Sequence, residues 1–131
     1  MSLLSATGIE AGVGNVTACR GLDLTLKPGE IWSVLGQNGV GKTTLLLTLA
    51  GLRPLRAGRI ELDGTSLERL SRKERARKMG ILFQHFETLF STRVVDAVMT
   101  GRHPWVSGWR GTSQHDEKMV QEQLDRVGLE G

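Results

Sequence analysis

The sequence predicts an α/β fold in which a buried strand runs through a glycine-rich loop into a helix, and three adjoining segments predict it. Ile31-Trp32-Ser33-Val34-Leu35 is an unbroken apolar run of strand length. Gly36-Gln37-Asn38-Gly39-Val40-Gly41-Lys42-Thr43 follows at once, with a glycine, four residues and then Gly-Lys-Thr. Thr44-Leu45-Leu46-Leu47-Thr48-Leu49-Ala50 then reads as a helix. The middle segment fits the phosphate-loop spacing, and its flanks are those such a loop needs.

A polyphosphate needs backbone donors packed close around it. Glycines at 36, 39 and 41 leave clearance that side chains would fill. Lys42 can place an ammonium on the β- and γ-phosphates, and the Thr43 hydroxyl can ligate Mg²⁺. The N-terminus of the helix adds its dipole. An ordinary glycine-rich turn would not require all eight positions.

The other elements follow in order. Leu22, Leu24 and Leu26 alternate with Asp23, Thr25 and Lys27, the pattern of a half-exposed strand. Lys27-Pro28-Gly29-Glu30 turns the chain into the loop strand. Gly51 is placed to stop the loop helix, and Pro54 prevents its resumption. Arg59 to Gly64 reads as a short alternating strand closed by a turn, and Ser66 to Lys78 as a polar helix with a thin apolar side. Met79-Gly80-Ile81-Leu82-Phe83 is a second apolar strand, ending at Gln84. Val94–Met99 and Met119–Val127 read as helices around a loop from Gly101 to Gly111. A parallel sheet is buried on both faces, and only 31–35 and 80–83 suit one. Two strands are too few for such a core, so the chain reads as part of something longer.

Composition narrows the function. The 131 residues carry a net charge of +3, but much of the positive charge lies between Arg69 and Lys78, interleaved with Glu74 and preceded by Glu68. Mixed signs at helical spacing mark a solvated face, and with no tyrosine there is no base-stacking series. No nucleic-acid partner is expected. No stretch has the length of an apolar membrane span, and the first residues lack the pattern of a signal peptide. The single cysteine, Cys19, excludes an internal disulfide and fits a reducing cytosol, with packing as its role. His85, His103 and His115 lack metal-ligand spacing, so no zinc site is expected.

From about Leu22 to the C-terminus the chain resembles the ATP-binding cassette (ABC) transporter ATPases. Four segments carry the resemblance: Leu26 to Ile31; Gly36 to Leu46, with Asn38 and a third glycine; Ala57 to Gly64; and Ile81-Leu82-Phe83-Gln84, similar to the family's Q-loop entry. The resemblance implies a P-loop NTPase of the ABC type, with a RecA-like core and an antiparallel β-subdomain. Residues 1–90 would be the N-terminal part of the ATP-binding core, ending in the Q-loop, and 91–131 the start of the helical subdomain. It further implies that Gly36, Gln37, Asn38, Gly39, Val40, Gly41, Lys42, Thr43 and Thr44 (the Walker A segment) bind ATP. Thr43 and Gln84 would serve Mg²⁺, and Lys42 and Gln84 would act in catalysis.

The implied partners are integral-membrane permease subunits, met by the segment His85 to Arg93, and a second copy of the ATPase subunit. The implied location is peripheral, on the cytoplasmic face of the inner membrane. Leu70 to Arg77 and Gly101-Arg102-His103-Pro104-Trp105 resemble importers for iron-siderophore, haem and cobalamin, although Arg102 and His103 read equally as surface residues near a helix end.

Three family features are missing. Val13 stands near the position of an adenine-stacking aromatic, no Leu-Ser-Gly-Gly signature occurs, and no apolar strand ends in Asp-Glu. A switch histidine after that strand is absent as well. The expectation is therefore an incomplete ATPase subunit, the N-terminal portion, that holds ATP but lacks groups needed to hydrolyse it. A truncated non-catalytic nucleotide-binding module and a soluble non-transport ABC protein stay open.

Overall fold

The computed structural model describes residues 2–85 and 91–129. The chain forms two compact units, Met1–Arg75 and Ala76–Gly131.

In the first unit, β1 (Leu4–Val13), β2 (Val16–Leu26), β3 (Ala57–Leu62) and β4 (Thr65–Ser66) form an antiparallel sheet of order β2-β1-β3-β4. The alternation read at Leu22, Leu24 and Leu26 holds, with these three half-buried and the residues between them exposed. β1, at the sheet's centre, has no counterpart in the sequence reading. Its pairing with β2 is interrupted by irregularities between Ala6 and Ile9, Ile9 and Ala11, and Ala11 and Gly12. Each bulge breaks the two-residue period by which a strand is recognised. The core nonetheless centres on β1, with Ala6, Ile9 and Ala11 buried alongside Ile60, Leu62, Leu67 and Leu49.

Helix α1 (Lys42–Leu49) packs on β1 and β2. Its buried Thr48 satisfies its hydroxyl by donating to Thr44 O at 2.7 Å. The helix ends where Gly51 predicts, with Gly51 N donating to Thr48 O and Leu52 N to Leu47 O. This pair of bonds is a Schellman closure, and Gly51 supplies its left-handed residue (φ 70). Asp63 and Gly64 make the two-residue turn from β3 to β4.

The polar helix expected from Ser66 is shorter. Ser66 belongs to β4, Leu67 N donates to Ile60 O at 2.9 Å, and only Arg72–Lys78 is helical (α2). Burial of Leu67 in the sheet's core holds this stretch away from helix geometry. A capping box starts α2 instead, with Glu74 N donating to Ser71 Oγ and Ser71 N to Glu74 Oε2.

The two apolar strands expected at 31–35 and 79–83 are not formed. Ile31, Leu35 and Leu82 are 96%, 90% and 98% exposed. Strand geometry needs a hydrogen-bonded neighbour, and among the described residues no strand pairs with either segment.

The second unit contains α3 (Val94–Met99), as expected, and α4 (Gln114–Arg126), which begins five residues before Met119. A capping box at Ser113 and Asp116 fixes that start. The apolar side of α4, Val120 and Leu124, is buried, and α4 packs against α3.

Candidate nucleotide-binding site

Gly41 is the N-cap of α1, with φ 106. A Cβ at this position would stand 2.5 Å from Ala18 Cβ and 3.0 Å from its Cα. Glycine therefore meets two demands here, a backbone conformation L-residues avoid and a close approach to β2. The first helical bond runs from Leu45 N to Gly41 O at 2.9 Å. The amides of Lys42, Thr43 and Thr44 precede it and have no acceptor within the helix. Neither an acidic residue in the first turn nor a side-chain cap competes for them. A helix start left open in this way favours an anion.

The loop folds back on itself. Val40 N donates to Gln37 O at 3.3 Å, and a Cβ on Gly36 would meet Val40 Cγ1 at 2.9 Å. Lys42 Nζ donates to Gly36 O at 2.6 Å and Gln37 O at 2.7 Å, which draws the ammonium across the loop. Thr43 is exposed, and Thr44 is half-buried with its carbonyl engaged by Thr48. Gly36 to Thr44 thus gathers in one loop three amides without acceptors in the helix and one ammonium, a donor set that fits a polyphosphate.

Gln84 belongs to the second unit, where it is exposed in a segment without regular structure. Of the stretch expected to meet a permease, residues 86–90 lie outside the described residues. His85 is exposed, and Arg93 forms the N-cap of α3 and pairs with Asp96 at 2.7 Å, which raises the Arg93 pKa. Among the described residues, no group of three or more His, Cys, Asp or Glu is placed to hold a metal.

Val13 lies opposite Val16 at the end of the β1–β2 hairpin, and the two are 44% and 65% exposed. Arg56 braces this hairpin through Nη2 to Gly14 O (2.6 Å) and Val16 O (3.2 Å), and through Nη1 to Thr17 Oγ1 (3.2 Å).

The sequence left Arg102 between two readings, and the structure gives it a definite partner. Its Nε donates to Asp116 Oδ1 at 2.7 Å, and its guanidinium lies 4.6 Å from the centre of the Trp105 ring. Asp116 Oδ2 also accepts from Ser113 N and Oγ at 2.9 and 2.8 Å. The Ser113 amide, then Arg102 and the Ser113 hydroxyl, lower the Asp116 pKa to about 2. The ion pair spans fourteen residues, beyond any local pattern, but Ser113-x-x-Asp116 is a capping signal readable in the sequence.

The profile of the family described as "ABC transporter" matches residues 19–131. The chain belongs to this family. An ABC transporter ATP-binding protein of Bacillus subtilis, YvrA, itself uncharacterised, is 35% identical over 127 residues, covering 96% of this chain and 29% of the relative. The same organism's YusV, described as a probable siderophore transport ATP-binding protein, is 35% identical over 130 residues, covering 99% and 47%. Relatives named for hemin, methionine and ribose import are 36%, 35% and 38% identical. Among solved structures, cbiO1 from Clostridium perfringens, part of the complex cbiONQ, superposes with a TM-score of 0.71 at 28% identity, covering 98% of this chain and 51% of that one. The fold is thus a partial ABC ATPase α/β fold with its antiparallel sheet. The chain spans less than half the length of these curated relatives. No helix among the described residues is long and apolar enough to cross a membrane.

Proposed function

We propose that this chain is the nucleotide-holding part of the motor subunit of an ABC importer, which couples ATP binding and hydrolysis to substrate movement through a separate permease. The observation that carries the reading is the open start of α1 beneath Gly36–Gly41, with Lys42 drawn across it. Gly36 to Thr44 bind the phosphates of ATP through backbone amides and the Lys42 ammonium, and the exposed Thr43 hydroxyl is available to Mg²⁺. ATP supplies the phosphoanhydride, and Lys42 and Gln84 are the catalytic groups this chain contributes, with Gln84 also serving Mg²⁺. Residues 1–90 form the ATP-binding core with its β-subdomain, and 91–131 begin the helical subdomain. The segment His85 to Arg93 meets the permease on the cytoplasmic face of the membrane, and a second ATPase copy completes the assembly.

The siderophore and hemin relatives support an iron-siderophore, haem or cobalamin-type substrate, with the Gly101 to Trp105 segment as a further likeness. A second reading is a non-catalytic nucleotide-binding module. Two assays test the function. Co-purification with a polytopic membrane protein supports the motor reading, and recovery free of any such partner supports the module. Phosphate release separates binding from turnover, and this chain is expected to bind Mg·ATP while hydrolysing it negligibly. Sustained hydrolysis that disappears in Lys42→Ala contradicts that expectation.

A further inference from the structure

At the end of α1 away from the phosphate loop, a cavity of about 440 Å³ opens within the first unit. Its volume falls in the range of small-molecule pockets, about 300–1,000 Å³. Ile60 and Leu67, both buried, and half-buried Leu55 give it an apolar lining. Three charged side chains join them, Arg53 and Glu68, which are exposed, and Arg75, which is half-buried.

Arg75 Nη1 donates to Gly51 O at 2.7 Å, and the guanidinium lies so near that a Cβ on Gly51 would meet Nη1. Its Nε is closed off from solvent and has no hydrogen-bond partner; among the described residues no other buried side-chain nitrogen or oxygen lacks one. An enclosed charged donor left unpaired is costly, and folded chains keep few of them. Nε and Nη2 form an edge of the guanidinium that grips a carboxylate with two parallel bonds. This chain uses that edge twice elsewhere, from Arg93 to Asp96 at 2.7 and 3.1 Å and from Arg20 to Glu10 at 3.1 and 3.5 Å. On Arg75 the same edge has no acceptor among the described residues.

We infer that this cavity binds a small monocarboxylate with an apolar body. The Nε–Nη2 edge of Arg75, turned to the ligand by a small swing of the side chain, holds the carboxylate, and Leu55, Ile60 and Leu67 cover the body. Arg53, Arg75 and Glu68 together leave one net positive charge, which matches one carboxylate and disfavours a phosphate dianion. The test titrates hexanoate, 1-hexanol and inorganic phosphate into the full chain by NMR, read at the Arg75 Nε–H signal. Hexanoate is expected to move that signal and to bind about tenfold or more tightly than hexanol, the worth of a charge-assisted bond. Arg75→Met should lose this margin, and Glu68→Gln, which removes a like charge, should tighten hexanoate. Excess Mg·triphosphate should not displace hexanoate, because the phosphate loop lies at the other end of α1. Equal affinity for hexanoate and hexanol, an unmoved Arg75 signal, tighter binding of phosphate, displacement by triphosphate, or hexanoate affinity unchanged in both variants each overturns the inference. Should Arg75→Met fail to fold, the unaltered chain and Glu68→Gln decide the matter.

Discussion

Gly41 sits so close to Ala18 that a methyl group on residue 41 would stand 2.5 Å from the alanine Cβ. The contact ties the start of α1 to β2, so loop and sheet are positioned together. Gly41→Ala should therefore act twice, through the clash and through a φ of 106 that alanine avoids. Such strain costs about 1–3 kcal/mol, and a lowered Tm with weakened Mg·ATP binding is expected. Adding Ala18→Gly should recover part of the loss, because it removes the closer clash, with the Ala18 Cβ, and leaves the approach to its Cα and the φ penalty. Full recovery would show that backbone conformation is unimportant there.

Ser113 closes the capping box that starts α4. Ser113→Ala should cost about 1 kcal/mol of stability, the usual worth of an N-cap. Urea unfolding measures it directly. Nucleotide binding in the other unit should be unaffected.

Asp116 gives the chain an acid limit. Its folded pKa of about 2 lies below its ordinary 3.8, with the Ser113 amide as the first cause. A depressed carboxyl pKa contributes stability that is present above the unfolded value and lost as pH falls through the folded one. The Ser113–Asp116–Arg102 cluster should therefore hold above about pH 4 and fail progressively toward pH 2. Asp116→Asn should lower Tm at neutral pH and flatten the pH dependence in that window. A neutral-pH Tm unchanged by Asp116→Asn would leave the cluster without a structural role.

Arg56 reaches across the hairpin to two carbonyls and a hydroxyl. Arg56→Met should keep much of its aliphatic packing while removing these bonds. Faster amide exchange confined to the β1–β2 turn is expected, at a cost of about 1–3 kcal/mol. Unchanged exchange there would mean that the turn holds itself.

Helix α1, its Gly51 stop and the β2 alternation were all legible in the sequence because each is encoded locally. At 31–35 and 79–83 the sequence reads as strand and the structure forms none, since an apolar run becomes a buried strand only when a neighbouring strand is there to pair with and cover it. β1 escaped notice because an irregularity between Ala6 and Ile9 sets these two core residues three apart and breaks the two-residue period. Arg102 and Asp116 are joined by tertiary packing, which local spacing cannot encode. At the candidate site, the residue types and their order were readable. The clearance between Gly41 and Ala18, and the capture of Lys42 Nζ by Gly36 O and Gln37 O, arise only in the folded chain.

The central claim is that Gly36 to Thr44 holds the phosphates of ATP, and titration calorimetry of Mg·ATP against the unaltered chain and Lys42→Ala tests it most directly. A charge-assisted bond contributes about 1.5–3 kcal/mol, so the variant should bind at least about tenfold more weakly. Equal affinity in the two proteins, or no binding to the unaltered chain, would contradict it.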